Sequence, residues 1–326
     1  MGRLTARLPA VDPGAALTVA LGAVLTWIAI HANGGLRVGS LTAVEMVVDV
    51  LAGVAAVVAV LAVPALRGNG PGTAAAALFA LLVLSALVST AWSIDPSTSW
   101  QEANRLTAYL AVFAIGMALV RLAPRRLPVM LGGITLAAVA VSAYALAHKA
   151  FPGQLQPDER WARLEQPFGY WNAVGLMAAL GVPGCLWLGA RRVGHAALNA
   201  LAYPAIAMLL VVVMFAYSRG SLLALAVGCG FWFAVTPLRL RGAVVLLTSA
   251  VGAAAVTLWA FSQDALTTDG VALSLRDGAG HELAVAVLAM LLAELLAGLA
   301  LGFAFARRPP SAAARRRAGI ALLVGL

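Results

Sequence analysis

Charged residues are scarce in this chain: Lys, Arg, Asp and Glu together make up 11% of its 326 residues, against roughly 25% in an ordinary soluble domain. So few charges cannot cover a water-facing surface, and a soluble globular fold is excluded. Cysteine is nearly absent. Its two copies, Cys185 and Cys229, sit inside apolar runs, which excludes a disulfide framework and leaves no zinc-ligand spacing. There is no internal repeat, no long amphipathic helix, and no low-complexity linker beyond 309–314. What fills the chain is apolar: 62% of its residues are hydrophobic and the mean hydropathy is +0.94. That richness in aliphatic residues also excludes intrinsic disorder.

The apolar residues fall into runs over 15–30, 46–66, 73–91, 107–120, 127–147, 173–190, 198–216, 222–236, 243–261 and 284–306, with a last run opening at Ala318. At about 20 apolar residues per bilayer crossing, the expected fold is all-α: a polytopic helical membrane protein with ten complete transmembrane helices and a truncated eleventh. The eleventh reaches only about 14 Å before Leu326, half a bilayer. The expected organisation is therefore a single transmembrane domain over 1–326, incomplete at its C-terminus. The first run follows Arg3 and Arg7, as a signal peptide would. His31-Ala-Asn-Gly-Gly after it offers no small-x-small cleavage site, and it is taken as an uncleaved first span.

The net charge is +9. With the N-terminus in the cytoplasm and the spans alternating, fifteen of the 22 basic residues fall on inside loops and seven outside. Nine acids fall outside and one, Asp12, inside. This is the positive-inside distribution, so the basic charge reports topology and gives no reason to expect nucleic acid as a partner.

Inside loops are short and basic, whereas three outside segments are long or unusual: 92–100, 149–172 and 262–283. Function is expected at the outer face. Arg219, in Tyr217-Ser-Arg-Gly-Ser221, occupies a turn between two runs, at the N-terminus of the following helix. A guanidinium there joins a bidentate donor to free backbone N–H groups, a natural anion site, and the anion at that depth is a lipid-borne phosphate. The plain alternative is an arginine that snorkels to the headgroups. Arg160 and Arg163 stand on the side of the membrane that basic residues avoid. After them, in Pro167-Phe-Gly-Tyr-Trp-Asn172, Gly169 permits a turn and Tyr170 and Trp171 suit the interface. Asn172 can cap the next helix.

Arg163-Leu-Glu-Gln-Pro-Phe-Gly-Tyr-Trp-Asn172 before one span, Ser218-Arg-Gly220 between the next two, and Trp92-Ser-Ile-Asp-Pro96 after the third together resemble the O-antigen ligase and O-antigen polymerase family of the bacterial envelope. The resemblance covers about residues 80–240. It implies a multi-pass protein of the bacterial cell membrane, a metal-independent glycosyltransferase without cofactor. Such an enzyme moves a glycan from an undecaprenyl-diphosphate carrier to an acceptor hydroxyl on a glycan or lipid, among membrane lipids. Arg163 and Arg219 would hold the donor diphosphate and stabilise it as leaving group. Arg160, Tyr170, Asn172 and Ser218 complete the expected substrate-binding set. The family's base belongs to a later outside loop, expected beyond Leu326, so the catalytic residue is unassigned and this stretch alone is expected to be inactive.

Other polar residues leave alternatives open. His31, His148 and His281 lie at outer span ends and His195 on the inside; none forms a recognisable constellation. Glu45 and Asp49 share a helix face and could pair with Arg37 or Arg105, or help bind an acceptor. Glu294 lies near mid-bilayer, where a carboxylate costs about 2.5–3.5 kcal/mol. Such a residue would suit the competing expectation, a transporter or flippase for a lipid-linked or small anionic substrate. Gly298 and Gly302 form a GxxxG match, expected to serve packing within the bundle.

Overall fold

The computed structural model describes residues 13–35, 38–62, 70–158 and 161–307. The described residues contain no β-strand. They form α1 (Pro13–His31), α2 (Val38–Ala62), α3 (Gly70–Ser89), α4 (Pro96–Leu122), α5 (Leu127–Ala150), α6 (Pro152–Leu155), α7 (Trp171–Ala190), α8 (Ala196–Ala200), α9 (Ala202–Phe215), α10 (Arg219–Val235), α11 (Arg239–Phe261), α12 (Asp264–Thr267) and α13 (Leu273–Arg307).

Eight stretches are long and apolar enough to cross a bilayer: Pro13–His31, Gly70–Trp92, Pro96–Val120, Leu127–Ala150, Trp171–Ala190, Ala196–Phe215, Arg239–Phe261 and Leu273–Ala304. The expected second and eighth runs fall on α2 and α10, which are not among those eight. At 17 residues, α10 spans about 26 Å, just short of the hydrocarbon core. The expected eleventh run, from Ala318, lies outside the described residues. The chain is thus an all-helical protein with the make-up of a multi-pass membrane protein.

Two helices begin well before their apolar runs. α4 starts at Pro96 rather than near 107, and α13 at Leu273 rather than near 284. Hydropathy sees only what lipid must cover, whereas a helix continues into water wherever its first turn is capped. In α4 the cap is Asp95. Its carboxylate accepts from Thr98 N at 3.2 Å, Thr98 Oγ1 at 2.6 Å and Ser97 Oγ at 2.7 Å, and Pro96 occupies the first turn. Those donors hold the Asp95 carboxyl down at about 2. A depressed folded-state pKa makes the cap's contribution complete above the unfolded value of about 4. It is lost as pH falls through about 2. Asp95→Ala is expected to speed amide exchange at Ser97, Thr98 and Ser99 while leaving the middle of α4 unchanged. Hydrogen exchange read by mass spectrometry checks this.

The described residues form two compact units, one holding those of 13–18 and 31–131 and the other those of 19–30 and 132–307. In the first, α2 and α3 each pack on α4. Arg105 there pairs with Glu102 at 2.9 Å, one turn away on its own helix. Neither Glu45 nor Asp49 forms an ion pair with Arg105, although the Arg105 charge still acts on the Glu45 carboxyl. Glu45 Oε1 is buried without a hydrogen-bond partner, and Arg37 lies outside the described residues.

In the second unit α7 packs on α9, α10 and α11, and α13 packs on α8, α9 and α11. α9 is apolar throughout and buried over most of its surface: Ile206, Leu209, Val211, Val212 and Phe215 are all inaccessible, and Met214 is exposed. α10 does the reverse along one stripe. Leu223, Val227 and Phe231, spaced by four, are 67%, 64% and 70% exposed, the face that lipid covers.

Glu294 is buried on α13. One carboxylate oxygen lies against Gly252 of α11, where an added Cβ would collide with it, and the other has no partner. The GxxxG match is only half used. A Cβ on Gly298 would stand 2.7 Å from Tyr203 Cδ2 and 3.0 Å from Ala200 O, whereas Gly302 faces open space.

Candidate functional site

One end of the second unit gathers the C-termini of α5, α9 and α11 with the N-termini of α7, α10 and α13. Residues 151–158 and 161–170 lie across it, tied down at several points. Gly153 N donates to Asp277 Oδ1 at 3.1 Å, and Arg276 Nη2 to Pro157 O at 2.9 Å. Ala162 is held on both sides: its N–H donates to Asp269 Oδ1 at 2.7 Å and its carbonyl accepts from Lys149 Nζ at 2.6 Å. Leu164 N donates to Phe215 O at 3.1 Å.

Arg163 therefore stands between two anchored residues. Its guanidinium lies over the Trp171 ring at 4.9 Å, a cation–π contact that orients the group without neutralising it. Arg163 makes no ion pair or hydrogen bond with another described residue. The nearby segment ends in a turn with a cis Gln166–Pro167 bond and Gly169 at φ 68°. Gly169 N and Tyr170 N both donate to Glu165 O.

Arg219 is the first residue of α10, exposed and likewise unpaired among the described residues. Ser218 before it is the N-cap. Its buried hydroxyl accepts from Ser221 N at 3.1 Å and lies 2.9 Å from Ser221 Oγ, so it fixes the direction in which α10 starts. Tyr217 takes a positive φ of 49°, a conformation few non-glycine residues adopt. It stacks on Phe261 at 5.4 Å. Burial pushes the Tyr217 hydroxyl above the usual tyrosine range, the charge of Arg163 opposes that, and Asp269 adds to it. Arg163 and the turn carrying Arg219 thus belong to one electrostatic neighbourhood.

Asn172 does not cap α7. Tyr170 is the residue at the cap, in extended conformation with no side-chain bond. Because α7 already starts at Trp171, the Asn172 side chain is inside the first turn and its amide donates to Tyr170 Oη at 2.6 Å. Its carbonyl accepts from Ser221 Oγ at 3.3 Å, joining α7 to α10 beneath the two arginines. Arg160 lies outside the described residues.

A shallow cleft opens beside Arg163, lined by His148, Lys149, Trp161, Glu165 and Arg276 over Ala145 and Leu266. His148 Nδ1 donates to Tyr144 O at 3.0 Å, which leaves Nε2 as the proton-accepting nitrogen of the neutral ring. His281 lies 3.7 Å from Asp277 and edge-on to Phe151, and His195 stands at the opposite end of the helices, before α8. Among the described residues no three His, Cys, Asp or Glu side chains cluster. Lys149, Asp269 and Arg276 are residues that sequence reasoning passed over. Lys149 and Arg276 carried one legible signal, basic charge on the expected outer side against the general bias, whereas Asp269 carried none. The stretch 262–283, expected as an outside loop, is instead α12 and the first three turns of α13, and these turns supply Arg276 and Asp277.

Chemically, this end of the helices presents two guanidiniums that are unpaired among the described residues, one of them held over an indole ring, beside a cleft with an aromatic wall and mixed polar groups. That combination suits a phosphorylated or diphosphate-bearing ligand with a polar, hydroxyl-rich body. Comparison with family models, with curated proteins and with solved structures gives no match to the chain.

Proposed function

We propose that the protein is a glycan-transferring membrane enzyme of the O-antigen ligase or polymerase type. It spans the bacterial cell membrane ten or eleven times with its N-terminus in the cytoplasm, and the Arg163 end faces outward. The donor is a glycan on an undecaprenyl-diphosphate carrier, and the acceptor is a hydroxyl on a glycan or lipid. The acceptor oxygen forms a bond to the anomeric carbon while the bond from that carbon to the diphosphate breaks. The electron pair leaves with the diphosphate, where Arg163 and Arg219 stabilise the growing charge. The resemblance puts the base that takes the hydroxyl proton in a later outside loop, so no described residue is given that role. Ser218 and Asn172 act as positioning residues for α10 and α7, and Tyr170 borders the site.

The observation that carries the proposal is Arg163 itself. It is held by anchored neighbours, left without a carboxylate partner among the described residues, and set at the same helix end as Arg219. A fixed unpaired cation is preorganised for an anion that arrives from outside the protein. The runner-up, transport of a lipid-linked or small anionic substrate, draws support from Glu294, a buried carboxylate with an unpartnered oxygen. Arg219→Ala in the full-length protein separates the two. Transfer is expected to fall by at least about tenfold with the carrier-linked donor still crossing the membrane at its normal rate. Unchanged transfer would remove Arg219 from the diphosphate site, and loss of donor crossing would favour transport.

A further inference from the structure

The cleft beside Arg163 holds more positive charge than the proposed diphosphate uses. Lys149, Arg163 and Arg276 line it, and Glu165 is the one carboxylate among the described lining residues. Two other acids close by serve the backbone: Asp269 Oδ1 accepts from Ala162 N, and Asp277 Oδ1 from Gly153 N. Arg219 is not part of the lining. A diphosphate shared by Arg163 and Arg219 therefore sits at the edge of the cleft, and the group attached to it enters the cleft.

Arg276 is the cation that such a group meets. Its Nε donates to Val271 O at 3.1 Å and its Nη2 to Pro157 O at 2.9 Å. Both acceptors are neutral carbonyls. They fix the plane of the guanidinium but leave its charge uncompensated, and Nη1 has no acceptor among the described residues. A guanidinium oriented in this way is ready for an oxyanion. The rest of the cleft asks for more than an oxyanion. His148 is held by its Nδ1 bond to Tyr144 O and by the Tyr144 ring, 4.2 Å away, so Nε2 offers an acceptor. An ionised carboxylate has no proton to give it, whereas a hydroxyl has. Trp161, 54% exposed, adds an apolar ring face. Cation, acceptor and aromatic face together fit a sugar ring that bears an acid.

We propose that this cleft is the subsite for the sugar joined to the donor diphosphate, and that this sugar is acidic. Its oxyanion substituent, a carboxylate or a phosphate ester, is bound by Arg276, and His148 Nε2 accepts from a ring hydroxyl. The assignment rests on the carrier-linked donor proposed above and adds the class of its first sugar. A neutral sugar would leave the Arg276 charge unused.

The test is native mass spectrometry of the full-length protein in a mild nonionic detergent. The ligands are bare undecaprenyl diphosphate and the same carrier bearing glucose, glucuronate or glucose 6-phosphate. At least one acidic form is expected to bind about tenfold more tightly than the glucose form, the worth of one hydrogen-bonded contact to a charged group. The better of the two acidic forms tells carboxylate from phosphate ester. Arg276→Gln is expected to erase the preference while leaving the affinities for the glucose form and the bare carrier unchanged, and Arg276→Lys to retain part of it. His148→Ala is expected to weaken the three sugar-bearing forms about threefold and the bare carrier not at all. Equal affinity for the three sugar-bearing forms would overturn the subsite, and that readout needs no variant to fold. A preference that survives Arg276→Gln would overturn it as well. So would an equal loss for every ligand in that variant, bare carrier included, which would make Arg276 a strut or a second diphosphate arm. Glycan transfer is read alongside. Acid-selective binding without transfer would keep the subsite and remove the transferase reading, and transfer with equal affinities would do the reverse. Failure of all four ligands to bind would remove both.

Discussion

Arg163→Ala is expected to reduce glycan transfer by the full-length protein about 10²–10³-fold, the usual cost of removing one fixed stabiliser of developing charge. The loss should leave folding intact. Arg163 is exposed, its one packing partner is the Trp171 ring, and the anchors of its segment belong to Ala162 and Leu164 rather than to its own side chain. The thermal midpoint in detergent should therefore stay within about 1 °C, since surface changes of this kind are usually worth under ~0.5 kcal/mol. Arg163→Lys separates charge from geometry. An ammonium keeps the charge but loses the planar two-donor fork and the flat contact with Trp171, so the rate should fall between those of the two other forms. The deficit should appear in kcat if Arg163 acts on the leaving group, and in KM if it only holds the ground-state diphosphate. Wild-type rates in Arg163→Ala would end the proposed role.

Gly298→Val is expected to be the most destabilising of the substitutions considered, and Gly302→Val on the same helix nearly silent. A side chain at 298 would enter the contact of α13 with α8 and α9, where the obstacles are the Ala200 carbonyl and the Tyr203 ring. Backbone cannot rotate away as a side-chain tip can, so the helices must separate. Overpacking of this kind costs about 1–3 kcal/mol, which lowers the unfolding midpoint by roughly 1.5–4 °C for a chain of this size. Gly302 has nothing within reach of an added Cβ, and its exposed position accepts valine beside lipid. A thermal scan of both variants in detergent decides the matter. Similar losses at both positions would mean that the two glycines work as one motif after all.

The helical apolar runs were legible because lipid imposes a simple demand: about 20 apolar residues for each crossing, with every backbone bond made internally. For the same reason the starts of α4 and α13 were misjudged. Their first turns lie outside that demand and are set by a cap at Asp95 and by contacts of Arg276 and Asp277. Arg163 and Arg219 stood out in sequence as charges at unexpected borders. Their surroundings did not. The groups that hold the Arg163 segment, Lys149, Asp269 and Phe215, lie 14, 106 and 52 residues from it in sequence. No local pattern links residues so far apart.

The two glycines of the GxxxG match, Gly298 and Gly302, are identical in sequence terms, yet one meets a neighbour and the other does not. Asn172 reads as a natural cap and is displaced from that role by a helix that begins two residues earlier than that cap would start it, at Trp171. By itself the sequence determined the solvent: composition and run length require a helical chain with its apolar surface turned outward. The tertiary structure alone decided which cations are free and which are spent. Pairing depends on distance across elements, so Arg276 and Lys149 become struts for a backbone segment, whereas Arg163 is oriented by Trp171 and has no anionic partner among the described residues.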